Sequence, residues 1–279
     1  MDNPPPQHAA GEEKSIHRCE SVLLHYLEQA PLSYSLWRTL EYKQLENLDF
    51  PEPILDLGCG DGIFSDILFT GRVAVGMDIS HRELTLARRF GTHEAMVAAD
   101  ARSLPFKGGS FATVFSNCVI EHIPEPGKVM SEIARVLKPG GAFVMTVPTE
   151  HFTSSLFFVS FFRRLHIGFL ARLYGNFVNR ALRHRNMYTV SEWQARAKEA
   201  GLEVEETRQF ISPAAVAVFD LFLSLSYLSY IVRRLLGRWA VFPGPRRLLA
   251  APVFNWAKRY LRENPETGGC VLIIARKKQ

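Results

Sequence analysis

Residues 54–62, ILDLGCGDG, constrain the fold of this chain more than any other stretch. A short apolar run ends in three glycines spaced two apart, and a helical pattern, GIFSDILF, follows. Gly58 permits a tight turn, Gly60 lets a ligand approach the backbone, and Gly62 keeps the helix close to the strand. The spacing is GxGxG, because Ile63 stands where the dinucleotide fingerprint GxGxxG requires glycine.

The same strand-to-helix alternation continues along the chain. The strand-like runs VAVGMDI, AMVAAD, FATVFSN and AFVMTVP alternate with the helical patterns SHRELTLARRF and PGKVMSEIARVL, and we predict that the latter helix closes at Gly140 and Gly141. Helical patterns from about Ile16 to Leu48 come first, and SEWQARAKEAG, LEVEETRQF and GCVLIIARKK add a helix and two strands. This order predicts an α/β fold with a doubly wound sheet, whose ligand lies at the carboxyl ends of the strands.

Three acidic residues fall near those strand ends. Asp56, on the first strand, could accept a hydrogen bond from a cationic group. Asp78 ends the second strand, from which an acid binds a ribose diol, and Ile79 offers an apolar surface to a base. Asp100, after the third strand, could accept from an exocyclic amine. A glycine trio alone is often only a turn, but the ordered acids with it indicate a nucleoside-containing ligand.

Five ordered segments resemble the class I S-adenosylmethionine-dependent methyltransferases, in particular the methyltransferase type 11 group. They are PILDLGCGDG, GMDIS, AADARSLPF, SFATVFSNCVIEHI and EIARVLKPGGAFVMTVP. The likeness is close over about residues 33 to 150 and generic at HRNMYTVSEWQARAKEAGLEVEE. It implies a Rossmann-like, seven-stranded sheet with an antiparallel last strand, and S-adenosyl-L-methionine bound across the first four strands.

The resemblance also implies a role for each matching residue. Asp56 would bind the methionine amino group, and Gly58 and Gly60 the rest of the methionine moiety. Asp78 would bind the ribose, and Asp100 and Ala101 would meet the adenine. The predicted cofactor contacts are Asp56, Gly58, Cys59, Gly60, Asp78, Ile79, Asp100, Ala101 and Asn117.

Methyl transfer from a sulfonium is an in-line displacement, so the protein mainly positions the reactants. A general base is needed only for a hydroxyl, a protonated amine or a carbon acid. The stretch SNCVIEHI leaves the fourth strand toward the methyl group, which makes Asn117 a candidate for orienting donor or acceptor and His122 a candidate base. The alternative is that His122 packs against or caps a helix. His184 either faces the acceptor from a neighbouring segment or is an ordinary surface histidine.

Two segments outside the resemblance are rich in cations and aromatic rings. Residues 151–190 hold six Lys/Arg and no Asp/Glu, and residues 211–262 hold eight and only Asp220. Together they have a net charge of +13 against −8 for the rest of the chain, and they include 18 of its 32 aromatic residues. We expect both to emerge at one rim of the sheet and to form a lid.

The expected organisation follows from these patterns. Its parts are a disordered tail at 1–14, a core with N-terminal helices at 15–150, a basic aromatic insertion at 151–190, a core helix and strand at 191–210, an apolar and basic insertion at 211–268, and a last core strand at 269–279.

The N-terminal stretch is polar, acidic and proline-rich, unlike a secretory signal, so we expect a cytoplasmic protein. The four cysteines include no CxxC pair, so we expect reduced thiols and no metal.

The two insertions favour a membrane surface. The stretch FLARLYGNFVNRALR has an apolar stripe with Arg172, Asn176, Asn179 and Arg183 opposite, a pattern typical of an interfacial helix and equally of a cover over the core. FISPAAVAVFDLFLSLSYLSYIV is long enough to span a bilayer, but Asp220 would cost on the order of 3 kcal/mol at its centre, and the last strand must rejoin the sheet. We expect a monotopic helix or hairpin, with RRLLGR and PRRLL at the headgroups.

The sequence therefore predicts a methyltransferase that acts on an apolar or lipid-linked small molecule, peripheral on the inner face of a membrane. Basic and aromatic residues together could instead bind RNA, although these segments are filled with Leu, Phe, Val and Ala. A third alternative is a catalytically silent scaffold that binds S-adenosylmethionine. The residues that would select the acceptor fall in the insertions, so the sequence does not identify it.

Overall fold

The computed structural model describes residues 7–223 and 250–279, and within them seven strands form one sheet. The sheet order is β3-β2-β1-β4-β5-β7-β6; β1 to β5 are parallel, and β7 is antiparallel to both its neighbours. The strands are β1 Ile54–Leu57, β2 Val73–Asp78, β3 His93–Ala98, β4 Phe111–Asn117, β5 Leu137–Pro148, β6 Leu202–Phe210 and β7 Cys270–Lys277. The predicted sheet with an antiparallel last strand is confirmed.

Helices cover both faces of this sheet. Their bounds are α1 Gln7–Gln29, α2 Leu32–Leu45, α3 Ile63–Leu68, α4 His81–Ala87, α5 Pro126–Val136, α6 Glu150–Ser155, α7 Phe157–Arg164, α8 Gly168–Ala181, α9 Val190–Glu199, α10 over the helical residues 213–223, and α11 Ala250–Leu261. Along β4, Val114 and Phe115 belong to different apolar clusters, because successive strand residues point to opposite faces. One cluster joins the sheet to α5 and α9, and the other joins it to α1, α2 and the helices of the two insertions.

The two insertions meet above α2. The Trp37 ring of α2 lies 5.6 Å from the Phe152 ring of α6 and 5.0 Å from the Phe219 ring of α10. Asp220 of α10 is fully buried and accepts hydrogen bonds from the Phe158 backbone N–H of α7 at 3.1 Å and from the hydroxyl of an α8 tyrosine. We call α6, α7, α8 and α10 the lid helices. A charged residue that disfavours a membrane span thus ties the two insertions together.

Two local predictions need correction. The helix α1 begins at Gln7, so residues 7–14, predicted as part of a disordered tail, are helical; this stretch is rich in Ala and Glu, which favour helix. The helix α5 ends at Val136 rather than at Gly140 and Gly141. Leu137 already pairs with β4, and Pro139 disfavours a helical conformation at Lys138.

Parts of the second insertion lie outside the described residues. They include RRLLGR and PRRLL, which we predicted to lie at the headgroups. Residues 1–6 of the predicted tail also lie outside the described residues. In the described ranges, no helix combines the length and the apolar character that a bilayer crossing requires.

Candidate functional site

A cavity of about 220 Å³ lies where β1 ends, between the glycine loop and the N-terminal helices. Its lining residues are Tyr26, Tyr34, Arg38, Asp56, Gly58, Cys59, Gly60, Asp61, Phe64, Ser65, Glu83, Phe115 and Asn117. Five of the nine predicted cofactor contacts therefore line it. The other four, Asp78, Ile79, Asp100 and Ala101, lie along the carboxyl ends of β2 and β3, beyond this lining.

The glycine loop has one residue fixed by packing and another that faces open space. Gly58 has a φ of 79°, and a Cβ atom there would lie 2.4 Å from a methyl carbon of Val119. Gly60 has a φ of 57°, and nothing lies within 4 Å of where its Cβ would be. The turn and the packing therefore require Gly58, whereas Gly60 leaves room for a ligand to approach the backbone.

Asp78 joins the glycine loop to the end of β2. Its carboxylate accepts from the Gly60 backbone N–H at 3.1 Å and from the Ser80 backbone N–H at 2.8 Å. Burial raises the pKa of this carboxyl above its ordinary value. The next side chain, Ile79, is 73% exposed and has no shielding from solvent over most of its surface. The arrangement offers an acceptor for hydroxyl groups beside an exposed apolar side chain.

The other two predicted adenine contacts differ from each other. The Asp100 carboxylate binds the Arg102 guanidinium at 2.6 Å, and this contact lowers the pKa of Asp100. The side chain is thus already engaged, which the sequence pattern did not indicate. Ala101 is buried next to it.

Asp56 is also engaged within the protein. Its carboxylate accepts from the Ser65 hydroxyl at 2.5 Å and lies 2.8 Å from Nε2 of His93, and all three side chains are buried. Gly76 of β2 makes room for the imidazole, since a Cβ there would lie 2.6 Å from the His93 ring. The carboxylate is held rigidly at the floor of the cavity.

The sequence pattern missed Arg38, which the fold places in the wall of the cavity. Its guanidinium lies over the rings of Tyr34 at 4.9 Å and Phe64 at 5.6 Å, and donates to Glu41 at 2.7 Å. The Nε atom is buried and finds no hydrogen-bond partner among the described residues. The sequence did offer a signal. In α2, the charged residues Arg38 and Glu41 lie among leucines at positions 36, 40 and 45, which are buried.

A polar cluster lies behind the cavity wall at the end of β4. The Asn117 amide donates to Glu41 at 3.3 Å, and the Cys118 thiol donates to the same carboxylate at 2.9 Å. The donor atoms of Glu41, Cys118 and Cys270 all lie within 4.8 Å of one another. Asn117 is thus held by α2 at the edge of the cavity, as an orienting residue requires.

His122 and His184 form a stacked pair, with ring centroids 5.6 Å apart. Nδ1 of His122 lies 3.1 Å from the Arg183 carbonyl and therefore carries the proton that it donates, which leaves Nε2 as an acceptor. Burial lowers the pKa of both rings, that of His184 to about 3. His122 lies on a single 3-10 turn and does not line the cavity, so its role as a base stays a prediction.

Comparisons with known proteins point to one family. The methyltransferase domain family, by its sequence profile, matches residues 55–145. A malonyl-[acyl-carrier protein] O-methyltransferase of Legionella pneumophila is 35% identical over 42% of each chain. A sterol 4-C-methyltransferase of Caenorhabditis elegans is 35% identical over 36% of this chain and 33% of its own, and a ubiquinone biosynthesis O-methyltransferase of Bordetella avium is 28% identical over 54% and 61%. The chain therefore spans about a third to three fifths of the length of these relatives.

Solved structures extend the likeness of fold beyond the matched residues. An S-adenosylmethionine-dependent methyltransferase of Thermotoga maritima superposes with a TM-score of 0.53 at 18% identity, covering 95% of this chain and all of its own. The [4+2]-cyclase SpnF superposes with a TM-score of 0.54 at 17% identity over 88% and 82%. At such identities the likeness is one of fold alone, since the same fold serves a methyltransferase and a cyclase.

Proposed function

We propose that the chain is a class I S-adenosylmethionine-dependent methyltransferase, as the match of residues 55–145 to the methyltransferase domain family supports, and that it methylates an apolar or lipid-linked small molecule. The observation that carries the first half of this proposal is the glycine loop bonded to Asp78 beside the exposed Ile79. These groups suit a donor with ribose hydroxyls and an adenine ring. The lid helices carry the second half.

The donor's methionine end would lie between two opposite charges. S-adenosylmethionine has an ammonium and a carboxylate at that end. The cavity is lined by Asp56 and by the Arg38 guanidinium, whose Nε has no hydrogen-bond partner in the described part of the chain. Gly58, Cys59 and Gly60 would contact the same moiety through their backbone. S-adenosylmethionine supplies an activated methyl group, and the chain's own residues hold it in line with the acceptor. Asn117, at the cavity edge, would orient one of the two reactants.

An apolar acceptor is supported by the relatives and by the lid. Relatives include a sterol methyltransferase and a methyltransferase of ubiquinone biosynthesis, although they match only part of this chain. The side chains of Phe169, Leu173 and Phe177, spaced four apart on α8, are 52–70% exposed. Phe161 and Leu165 of the preceding segment are 44% and 52% exposed. We call these five side chains the lid patch.

The amphipathic stripe predicted for α8 is divided. Ala171, Gly175 and Val178 are the buried side of the helix, and a Cβ on Gly175 would lie 2.8 Å from a methyl carbon of α6. Small residues let the helix approach the core closely, so one row of its large side chains remains outside. The helix therefore both covers the protein and exposes an apolar row.

Cations surround the lid patch. Arg163, Arg164, Arg172 and Arg180 are exposed, and residues 151–190 contain no acid. An apolar row among arginines suits the surface of an anionic membrane, where each cation contributes roughly 1 kcal/mol. A membrane-dissolved acceptor would enter beneath the lid, while the polar donor enters from water at the glycine loop.

A labelled methyl donor tests the proposal directly. The protein is incubated with S-adenosylmethionine labelled in the methyl group and with a cell extract, which is then separated into organic, RNA and protein fractions. We expect the label in the organic fraction, and its loss when S-adenosylhomocysteine is added in excess. Label in RNA would replace the acceptor class with nucleic acid. No label in any fraction, with the cofactor bound, would identify a silent scaffold.

A further inference from the structure

The cluster behind the cavity wall brings together two thiols and a carboxylate from three distant segments. Glu41 comes from the middle of α2, Cys118 follows β4, and Cys270 begins β7. Their donor atoms lie within 4.8 Å of one another, and Glu41 and Cys270 are fully buried. We name it the thiol cluster.

The sheet fixes the position of each thiol. Cys118 has a φ of 52°, and its backbone N–H donates to the Thr146 carbonyl of β5 at 3.0 Å. On the other side of β5, Cys270 pairs with Pro148. The antiparallel β7 therefore starts beside the point where β4 ends, which brings the two sulfurs together. This convergence depends on sheet order, and the spacing of the cysteines in the sequence does not reveal it.

The donor set matches the preferences of zinc. Zinc binds thiolate sulfur at about 2.3 Å and carboxylate oxygen at about 2.0 to 2.2 Å in a tetrahedron, so donors that share one ion lie roughly 3.3 to 3.8 Å apart. Cys118 and Glu41 are already 2.9 Å apart, and the whole set is within 4.8 Å. An ion here would replace the Cys118 thiol proton on Glu41, whose carboxylate also accepts from Trp37 and Arg38.

A fourth group lies next to the cluster. Glu121 is 1% exposed and lies beside the Cys118 thiol, and its Oε2 atom has no hydrogen-bond partner among the described residues. Buried polar atoms are nearly always paired, so this oxygen is an independent indication of a ligand. Structural zinc sites have four protein ligands, and Glu121 would complete the set.

The negative charges of the cluster favour a divalent cation. Two thiolates and two carboxylates carry four negative charges, which a zinc ion and the Arg38 guanidinium on Glu41 reduce to a net charge of −1. Binding breaks two S–H bonds, forms two S–Zn bonds and releases two protons to solvent, with no change of oxidation state. Asp56, Cys59 and His93 form another group of donors, but Asp56 and Cys59 line the cofactor cavity, so this group belongs to the site already described.

We infer that Glu41, Cys118, Cys270 and Glu121 form a structural site for a zinc-class divalent cation. The ion would tie α2 to the ends of β4 and β7 and so hold Asn117 at the cavity edge. This differs from the expectation of no metal that the scattered cysteines gave. The site is independent of the methyl acceptor, and its test does not use activity.

Cobalt serves as the probe, because Co²⁺ replaces zinc and gives an intense near-ultraviolet band when thiolates bind it. The reduced full-length protein, stripped of metal, is titrated with Co²⁺ under anaerobic conditions. We expect saturation at one ion per chain, and displacement of the band by zinc. Cys118→Ser and Cys270→Ser should each weaken cobalt binding at least about tenfold, as the loss of a ligand does. Cys19→Ser, which alters a buried cysteine outside the cluster, should leave it unchanged.

Alkylation keeps the inference testable if a serine variant fails to fold. Wild-type protein is treated with iodoacetamide with and without zinc in dilute denaturant, and the modified peptides are identified by mass spectrometry. Zinc should protect Cys118 and Cys270 and leave Cys19 unprotected. Absence of a cobalt band, a band lost in Cys59→Ser instead of Cys118→Ser, or equal alkylation with and without zinc would overturn the site. Binding of S-adenosylhomocysteine, measured in parallel, reports on the proposed function separately.

Discussion

In the sheet, all four residues of β1 are buried and the ligand edge is formed by glycines and acids, whereas the lid helices expose five large apolar side chains among arginines. The charge follows the same division, with +13 on the two basic segments and −8 on the rest. Under the proposed function, the first region would bind a polar, cationic donor and the second an apolar partner at an anionic surface. Changes in one region should leave the function of the other intact.

The largest effect is expected from Asp78→Asn in the sheet. It removes the ionised acceptor for two ribose hydroxyls, and each hydrogen bond to a charged group contributes about 1.5 to 3 kcal/mol, so the affinity for S-adenosylhomocysteine should fall about 100-fold or more. Isothermal titration calorimetry measures this loss. Asp49→Asn, at an exposed position outside the cavity lining, is the control and should bind normally. Unchanged affinity in Asp78→Asn would remove the ribose assignment.

The next effect concerns the lid. The double variant Arg163→Glu/Arg164→Glu should weaken binding to anionic vesicles at least about thirtyfold, because two cations contribute about 1 kcal/mol each, and should leave S-adenosylhomocysteine affinity unchanged. Vesicle flotation across a salt series measures the binding, which should weaken as salt increases. The controls are Lys138→Glu and Lys278→Glu, which reverse exposed cations away from the lid. If all variants float equally, the arginines do not face a membrane. Arg233 and Arg234, which the sequence also predicts at headgroups, lie outside the described residues.

A smaller effect should follow from Tyr174→Phe, which removes the hydroxyl that donates to Asp220 at 2.5 Å. The loss leaves one oxygen of a buried carboxylate with one partner fewer, so the free energy of unfolding should fall by about 1 to 3 kcal/mol. Denaturant titration measures it. Phe177→Tyr, which changes an exposed ring on the same helix, should have little effect on stability. Equal stability of Tyr174→Phe and wild type would mean that this contact does not hold the insertions together.

The smallest effect is a pH dependence of donor binding. Burial raises the pKa of Asp78 above its ordinary 3.8, so the folded protein favours the protonated form more than the unfolded chain does. The carboxyl therefore adds stability at low pH that is lost as the pH rises through the raised pKa. Conversely, affinity for S-adenosylhomocysteine should be highest above the raised pKa and should fall by about half when the pH reaches it. Asp78→Asn should show a flat profile over the same window; a parallel decline in both proteins would assign the titration to another group.

The sheet could be predicted from the sequence because its signals are local. The strand before Gly58, the acids at the strand ends and the alternation of helices each lie within a few residues of one another. The position of Asp78 beside Gly60 follows from this order, since neighbouring parallel strands end at one edge. The end of α5 was predicted wrongly because strand pairing at Leu137 outweighed the glycine stop signal.

The rest of the site could not be predicted, because it depends on contacts between distant segments. Arg38 and Glu41 enter the site from α2, and no motif marks a helix that will pack over a strand end far along the chain. The proximity of the Cys118 and Cys270 thiols depends on the order of strands in the sheet, which the spacing of the cysteines in the sequence does not reveal. On α8, the periodicity identified an apolar stripe, but only packing reveals that Gly175 faces the core and Phe169 faces solvent.

The most direct test of the division between donor and acceptor regions compares two ways of presenting the acceptor. The organic extract is supplied either in anionic vesicles or dispersed in neutral detergent, and label transfer is measured for wild type and for Phe169→Ser/Leu173→Ser/Phe177→Ser. We expect the variant to lose most transfer from vesicles while keeping transfer in detergent, with unchanged affinity for S-adenosylhomocysteine. Equal transfer by both proteins from vesicles would contradict the account, because the lid patch would then have no part in reaching the acceptor.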